Sequence, residues 1–172
     1  ASSRNSCSWG DGVYKSVDGG TTWTNMGLPK SCHIGTIVID PKKPDTVFVG
    51  ALGNLWAAGG ERGLYKTTDG GKTWRNVLPT DENTGVIKIV QNPKNNKELL
   101  AATWQRRRFP YNFQSGGPGS GLWKSTDGGE HWRKITKALP NGPLGRIGMD
   151  YFQPNPRAVV MTVERPPTGT LA

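Results

Sequence analysis

The chain has 172 residues, of which 34% are hydrophobic, with 24 glycines and 13 prolines. This length fits one compact domain, and the composition favours many short strands joined by tight turns over helices. The sequence contains no run of 18 apolar residues, so we expect no transmembrane segment.

The strong positive charge has two explanations. The formal net charge is +9, which fits either solvated strand faces rich in lysine and arginine or an acidic partner such as an anionic glycan. No nucleic-acid-binding module is recognisable, so we do not expect a nucleic-acid partner.

Strand patterns recur along the chain in short runs that alternate apolar and polar residues. The run from Ile34 to Asp40 is almost wholly apolar, which predicts an inner strand covered on both faces. Outside the repeated turns described next, the predicted strands are 10–15, 23–26, 34–40, 47–51, 85–90, 99–104, 147–151 and 158–163. Between them, 52–62 and 105–120 are predicted to be loops.

One eight-residue phrase occurs three times, at 16–23, 67–74 and 125–132, each time after Gly-Val/Leu-Tyr/Trp-Lys. Asp-Gly-Gly between two strand patterns predicts a hairpin turn, since glycine accepts the positive φ of a tight turn. We expect the aspartate to accept hydrogen bonds within its own turn, and the tryptophan to fold back over that turn. The residues given these structural roles are Ser16, Asp18, Gly20, Trp23, Thr67, Asp69, Gly71, Trp74, Ser125, Asp127, Gly129 and Trp132.

A catalytic or calcium-binding role for the three aspartates is the alternative. A catalytic residue is normally needed once, so three copies in the same local setting favour the structural role. Neither this pattern nor the cysteine spacing suggests a metal site, and we expect no cofactor.

The phrase Ser/Thr-x-Asp-x-Gly-x-x-Trp resembles the Asp-box, or bacterial neuraminidase repeat. The segments 50–56 and 103–108 are similar to bacterial sortilin-type β-propeller proteins, many of which carry a loose glycosyl hydrolase label. This resemblance implies an all-β propeller and an extracytoplasmic location, periplasmic or secreted. It implies no particular activity, because Asp-boxes occur in sialidases, xyloglucanases and sortilin-like receptors alike.

The repeat spacing predicts about three propeller blades. The aspartates lie 69 − 18 = 51 and 127 − 69 = 58 residues apart, and each cycle holds four strands, A to D from the inside outward. The predicted units are a C–D hairpin (10–28), two complete blades (34–78 and 84–139) and an A–B hairpin (144–164). Closed propellers usually need about four to eight blades. We therefore expect further blades of the same protein, a second copy or another chain at the blade edges.

The best candidate binding element is the predicted loop 105–120. Propeller topology places it, with 52–62 and 79–84, on the face opposite the Asp-boxes. The candidate binding residues are Arg106, Arg107, Arg108, Phe109, Tyr111, Trp56 and Trp104. Arginine and aromatic side chains together bind carboxylates or sugar rings. The alternative is a lid that packs on its neighbours, with arginines paired to Asp81 and Glu82, and with both tryptophans serving packing.

Two functional hypotheses follow. The first is a non-catalytic scaffold that binds a protein, peptide or glycan through this face. The second is a glycoside hydrolase, xyloglucanase-like or sialidase-like, with a site only partly contained in the chain. A xyloglucanase-like site needs two opposed carboxylates, and Asp81 and Glu82 are weak candidates. No tyrosine–glutamate pair of the sialidase kind is apparent.

Cys7 and Cys32 are the two cysteines. The topology places both on one face, and a disulfide and two free thiols remain equal alternatives.

Overall fold

A computed structural model describes residues 8–137 and 139–165, and this part of the chain contains β-strands and no helix. The strands in chain order are β1 (Tyr14–Lys15), β2 (Thr24–Asn25), β3 (Ile34–Asp40), β4 (Lys43–Ala51), β5 (Gly63–Thr67), β6 (Arg75–Leu78), β7 (Thr84–Gln91), β8 (Leu99–Phe109), β9 (Asn112–Ser115), β10 (Gly121–Ser125), β11 (Arg133–Ile135), β12 (Ile147–Tyr151) and β13 (Val159–Val163). Within these residues, nothing has the helical length and hydropathy of a membrane span.

The strands form four separate antiparallel sheets, the blades of a partial propeller. We number them in chain order. The first blade is the pair β1–β2, and the second is the sheet β3–β4–β5–β6. The third is β7–β8–β10–β11, to which β9 adds through β8, and the fourth is the pair β12–β13. Over the described residues, the first and last blades are therefore half-blades.

Apolar side chains fill each space between neighbouring blades. Val13 and Leu28 of the first blade pack with Val49 of the second. Phe48 and Leu64 of the second pack with Ile89 of the third, and Ile147 packs the fourth blade onto the third. Burial between sheet faces is thus what fixes the blades side by side.

The expectation that β3 is covered on both faces is wrong. Ile37 is 50% exposed and Ile39 is 58% exposed. Ile89 of β7 occupies the position equivalent to Ile37. It is only 1% exposed, because β7 has a blade on each side. Among the described residues, the half-blade β1–β2 supplies no inner strands that would cover the side of β3 facing it.

The predicted loop at 105–120 is also wrong over most of its length. β8 continues to Phe109, and β9 returns from Asn112, so 105–115 is a β-hairpin that extends the third blade. The amides of Arg106 and Arg108 on the other edge of β8 donate to backbone carbonyls of neighbouring loops. Since both edges of this segment are hydrogen-bonded, it adopts an extended conformation.

Candidate functional site

The three Asp-box turns share one set of hydrogen bonds. The hydroxyls of Ser16, Thr67 and Ser125 donate to the aspartate two residues later, over 2.7, 2.7 and 2.8 Å. The same hydroxyls accept from the second glycine N–H over 2.8, 3.0 and 2.9 Å. Each aspartate also accepts the backbone N–H four residues later, from Thr22, Thr73 and His131, over 2.9, 3.0 and 3.1 Å.

These bonds lower the pKa of all three aspartates. Asp18 is held mainly by the Thr22 hydroxyl, Asp69 by the Thr67 hydroxyl, and Asp127 by the backbone N–H of His131. Donors that favour the charged carboxylate depress its pKa. Because these donors come from its own turn, each carboxylate holds that turn together through short-range hydrogen bonds.

The tryptophans of the turns do not all point the same way. Trp23 Nε1 donates to Gly20 O over 3.0 Å, and Trp132 Nε1 donates to Gly129 O over 3.2 Å. Trp74 Nε1 donates instead to Met26 O of the first blade, over 2.7 Å. The expected fold-back therefore describes Trp23 and Trp132, while Trp74 joins two blades.

Three segments, 52–62, 79–84 and the 105–115 hairpin, form one surface, which we call the loop-face surface. Arg108 N donates to Leu55 O over 2.8 Å, and Gly59 N donates to Glu82 O over 2.8 Å. Arg106 N donates to Asn83 O over 3.1 Å. Backbone bonds therefore connect each segment to the other two, and side chains from separate blades meet on a continuous face.

Arg62 organises the 52–62 segment from within. Its side chain is buried, and its guanidinium donates to the backbone carbonyls of Leu52, Asn54, Ala57 and Gly59. Burial lowers the pKa of Arg62, although a guanidinium stays protonated in proteins. One cation thus satisfies carbonyls along the segment that carries Trp56.

Three of the sequence-predicted binding residues lie exposed on the loop-face surface. Trp56 is 36% exposed, Phe109 is 42% exposed, and Tyr111 at the hairpin tip is 100% exposed. Trp56 directly follows Leu55, and Phe109 directly follows Arg108. The backbones of Leu55 and Arg108 are joined by a hydrogen bond. The structure therefore brings aromatic groups from two blades into one neighbourhood.

Arg107 and Arg108 are half-buried and lie against aromatic rings. The Arg107 guanidinium lies 5.2 Å from the Phe109 ring centroid, and its Nη1 donates to Asn83 Oδ1 over 3.1 Å. The Arg108 guanidinium lies 4.4 Å from the Phe113 ring centroid. These stacks hold the aromatic side chains in position near the tip of the hairpin.

Arg106 and Trp104 lie in the interior. Arg106 is fully buried, with its guanidinium 5.4 Å from the Trp104 ring centroid. Trp104 is 3% exposed and meets Phe113 edge to face, with ring centroids 6.2 Å apart. In this geometry both residues support the hairpin from beneath, and a surface ligand does not reach them.

The two weak catalytic candidates adjoin in sequence and differ in their bonds. Asp81 accepts from Asn83 N over 2.8 Å through one oxygen and from the Thr84 hydroxyl over 2.7 Å through the other. Glu82 is exposed and accepts only a long bond of 3.4 Å, from Asn83 Nδ2, among the bonds described. Pairing of these carboxylates with the hairpin arginines is not among the ion pairs of the described residues. Instead, Asn83 accepts from Arg107.

The sequence did not predict the structural roles of Arg62 and Asn83. Both depend on which loops become neighbours, and the pattern around them carries no motif. The one available signal is that Arg62 follows three small or acidic residues, Gly59, Gly60 and Glu61, directly before a strand. Asn83 shows no such signal.

Neither metal ligation nor a disulfide can be built from the described residues. They contain no group of three or more His, Cys, Asp or Glu side chains placed to hold a metal ion. Cys32 lies among them, with its thiol 3.7 Å from Lys30 O. Cys7 lies outside the described residues, so a disulfide and two free thiols stay equal alternatives for the two cysteines.

Solved structures of GH74 enzymes share this fold. An ancestral GH74 enzyme superposes with a TM-score of 0.65 at 22% identity, over 89% of this chain and 19% of that one. The GH74 enzyme of Niastella koreensis gives 0.63 at 26% identity, over 86% and 21%. The GH74 xyloglucanase of Xanthomonas campestris gives 0.66 at 17% identity, over 92% and 24%.

A curated relative and a family model extend the likeness to sequence. The chain is 28% identical over 134 residues to a probable oligoxyloglucan-reducing end-specific xyloglucanase of Neosartorya fischeri, covering 71% of this chain and 14% of the relative. It therefore spans less than a quarter of the length of these proteins. The model described as sortilin, neurotensin receptor 3, matches residues 11–142. The chain therefore belongs to the Sortilin-Vps10 family of Asp-box β-propellers.

Proposed function

We propose that this chain forms a glycan-binding part of a glycoside-hydrolase-type propeller, with a polysaccharide lying across the loop-face surface. The observation that carries the proposal is the exposure of Trp56, Phe109 and Tyr111 on one face of two adjacent blades. A contiguous exposed apolar patch marks a binding surface, whereas exposed hydrophobic residues scattered singly do not.

The chemistry of the surface fits a sugar chain. The faces of pyranose rings carry C–H groups, which pack on aromatic rings, while their edges carry hydroxyls that need polar partners. Trp56, Phe109 and Tyr111 supply the aromatic area. Asn83, Glu82 and the Arg107 guanidinium supply donors and acceptors beside it.

Binding is better supported than hydrolysis at this surface. Glycoside hydrolysis needs two carboxylates on opposite sides of the scissile bond, about 5–10 Å apart. Asp81 and Glu82 are consecutive, and both oxygens of Asp81 accept bonds from its own turn. The catalytic carboxylates of such an enzyme would therefore come from other parts of a longer propeller.

The substrate class we propose is a xyloglucan-type β-glucan. This rests on the name of the Neosartorya fischeri relative, a xyloglucanase, and on the GH74 xyloglucanase among the solved structures. The same proposal places the chain outside the cytoplasm, where such polysaccharides are met.

Calorimetric titration with xyloglucan oligosaccharides tests this proposal. Trp56→Ala and Tyr111→Ala should each weaken binding about tenfold, which corresponds to about 1.4 kcal/mol. Phe152→Ala is the matched control, since Phe152 is 51% exposed at the A–B turn of the fourth blade, on the opposite face. Equal losses for all three variants, or no binding by the parent chain, would overturn the proposal.

A second candidate is the binding of an acidic peptide, as in a sortilin-like receptor. The net charge of +9 and the arginine-rich hairpin favour it. Salt separates the two candidates, because screening weakens binding of an acidic peptide and leaves binding of a neutral glucan nearly unchanged.

The enzyme hypothesis has its own test. The parent chain and the variants Asp81→Asn and Glu82→Gln should each be assayed for hydrolysis of aryl glycosides. Turnover that either substitution abolishes, without loss of folding, would put hydrolysis ahead of binding at this surface.

A further inference from the structure

A cavity lies at the junction of the second and third blades, on the face that carries the Asp-box turns. We call this the Asp-box face, and it lies opposite the loop-face surface. The cavity has a volume of about 420 Å³, within the range of about 300–1,000 Å³ that is usual for small-molecule pockets. Its walls come from the β3–β4 turn, the β7–β8 turn and the Asp-box of the third blade. Both blades that form it have all four strands among the described residues.

Lysine is the most frequent charged residue of this cavity. The lining lysines are Lys42, Lys43, Lys66 and Lys97. All of these except Lys66 are exposed, and among the described residues none of the exposed three belongs to an ion pair. Their charge is therefore available to an anionic ligand at the rim.

Lys66 is the buried member of the group. Its side chain is 10% exposed, and its Nζ donates to Gly128 O over 2.8 Å and to Glu130 Oε1 over 2.5 Å. An ammonium group carries three N–H donors, and these two are its hydrogen-bond acceptors within the described part of the chain. Lys66 therefore keeps one donor for a ligand in the cavity that it lines. An oxyanion is a far stronger acceptor than the Phe48 ring, whose centroid lies 5.5 Å from Nζ.

Two carboxylates also line the cavity, and both are engaged by other groups. Asp40 accepts from Lys42 N over 2.8 Å through one oxygen and from Asn96 Nδ2 over 2.9 Å through the other. Asp127 is bonded within its own turn through both oxygens. Neither carboxylate pairs with a lining lysine side chain among the described ion pairs, so the cavity keeps an excess of positive charge.

The junction of the first and second blades carries a carboxylate at the position of Lys97. There, Gly70 N donates to Asp45 O. At the second junction, Gly128 N donates to Lys97 O, so the two turn residues are equivalent. A β-carbon placed on Gly70 would lie 3.0 Å from both Asp45 Oδ1 and Lys15 Nζ, which puts the acid beside the lysine of the first junction. The second junction has an additional ammonium group in place of that acid.

We propose that this cavity binds the phosphate or sulfate group of a small organic ester. Lys66 donates to the oxyanion from inside the cavity, and the three exposed lysines balance its charge from the rim. Lysine acts as a point charge, which suits a tetrahedral oxyanion, whereas a planar carboxylate is matched best by the fork of an arginine. The described lining residues include no arginine. The volume leaves room for the organic part of the ester beside the oxyanion.

Calorimetric titration of the chain with glucose 6-phosphate tests the site. At about 0.15 M salt, charges more than about 8 Å from the ligand are largely screened, so we expect saturable binding of one ligand per chain. Lys97→Asp, which gives the second junction the charge of the first, should weaken binding about tenfold or more and leave the circular dichroism spectrum unchanged.

Lys94→Asp is the matched control. Lys94 is exposed on the same turn and makes the same charge change, but it does not line the cavity. Because its charge is screened, its substitution should weaken binding by less than about twofold.

Glucose 6-sulfate distinguishes the two esters. At about pH 8 a phosphate monoester carries close to two negative charges, because its second pKa is about 6, and a sulfate ester carries one. Tighter binding of the phosphate would assign a phosphate ester to the site, and tighter binding of the sulfate would assign a sulfate ester. Either result supports the proposal.

Two results would overturn the proposal. One is the absence of saturable binding of both esters. The other is equal weakening by Lys97→Asp and Lys94→Asp, which would reduce the attraction to the net charge of the chain. Titration of the Lys97→Asp variant with xyloglucan oligosaccharides keeps these outcomes separate from the proposed function. Its glycan affinity should equal that of the parent chain, because the cavity and the loop-face surface lie on opposite faces.

Discussion

Trp74 of the second blade donates its indole N–H to the backbone carbonyl of Met26 in the first, over 2.7 Å. Trp23 and Trp132 occupy the same position of the motif, but each donates to a glycine carbonyl of its own turn. Trp74 therefore serves as a link between blades, while its two counterparts cover the turns in which they occur.

Replacing Trp74 by Phe should weaken the contact between the first two blades. The ring is retained in part, but Met26 O loses its donor, and we expect a loss of about 1–2 kcal/mol in the free energy of unfolding. Trp23→Phe is the matched control, and its effect should be smaller because Trp23 is 61% exposed. Urea denaturation measures both, and equal losses would contradict the interblade role.

Replacing Asp69 by Ala should lower the melting temperature by several degrees. The carboxylate accepts from the hydroxyls of Thr67 and Thr73 and from the Thr73 amide, and alanine leaves these donors without their acceptor. Glycan binding at the loop-face surface should not change. Differential scanning calorimetry and titration of the same variant check the two parts. Lost binding with unchanged melting would contradict the structural role.

Acid should destabilise the protein through the same turns. The pKa of each Asp-box aspartate is lowered by folding, with donors from Thr22, Thr67 and His131 as the largest causes in turn. As the pH falls, the carboxylates of the unfolded chain therefore become protonated before those of the folded protein, near their ordinary pKa of about 4. The stabilisation is complete above that pH and is lost as the pH falls through the lower folded pKa values.

The matched variant for this pH dependence is Asp69→Asn. Its amide oxygen keeps an acceptor for the Thr73 N–H, but it does not titrate. The slope of unfolding free energy against pH, measured between about pH 5 and pH 2, should therefore be shallower than in the parent. An unchanged slope would show that Asp69 is not one of the groups responsible.

The sequence predicted the local features of the fold well. The hydrogen bonds that hold the aspartates in the Asp-Gly-Gly turns join residues at most four positions apart, and they lie where the motif placed them. β3 and β12 have the predicted bounds. Such features depend on short-range hydrogen bonding and on strand periodicity, both of which are visible in a single sequence.

The sequence did not predict what depends on neighbours. Ile37 and Ile89 occupy equivalent strand positions, yet one is 50% exposed and the other 1%, according to which blade lies beside it. Arg106 and Arg107 are consecutive arginines, but strand alternation sends the first into the interior and leaves the second on the loop-face surface. Because the segment 105–120 was predicted to be a loop, the sequence did not predict this alternation.

Replacing Arg62 by Lys should disorder the segment that carries Trp56. Arg62 donates to four backbone carbonyls in a planar, branched arrangement, which a single ammonium group cannot reproduce. Several carbonyls would lose a charged donor inside the protein, so we expect a loss of about 2–4 kcal/mol in the free energy of unfolding. Hydrogen exchange should show faster exchange across 52–62 than elsewhere, and glycan affinity should fall with it.

Arg75→Lys is the control: Arg75 is largely exposed and pairs with Glu130, so its loss should stay below about 1 kcal/mol. Equal effects of the two substitutions would show that Arg62 does not organise the segment.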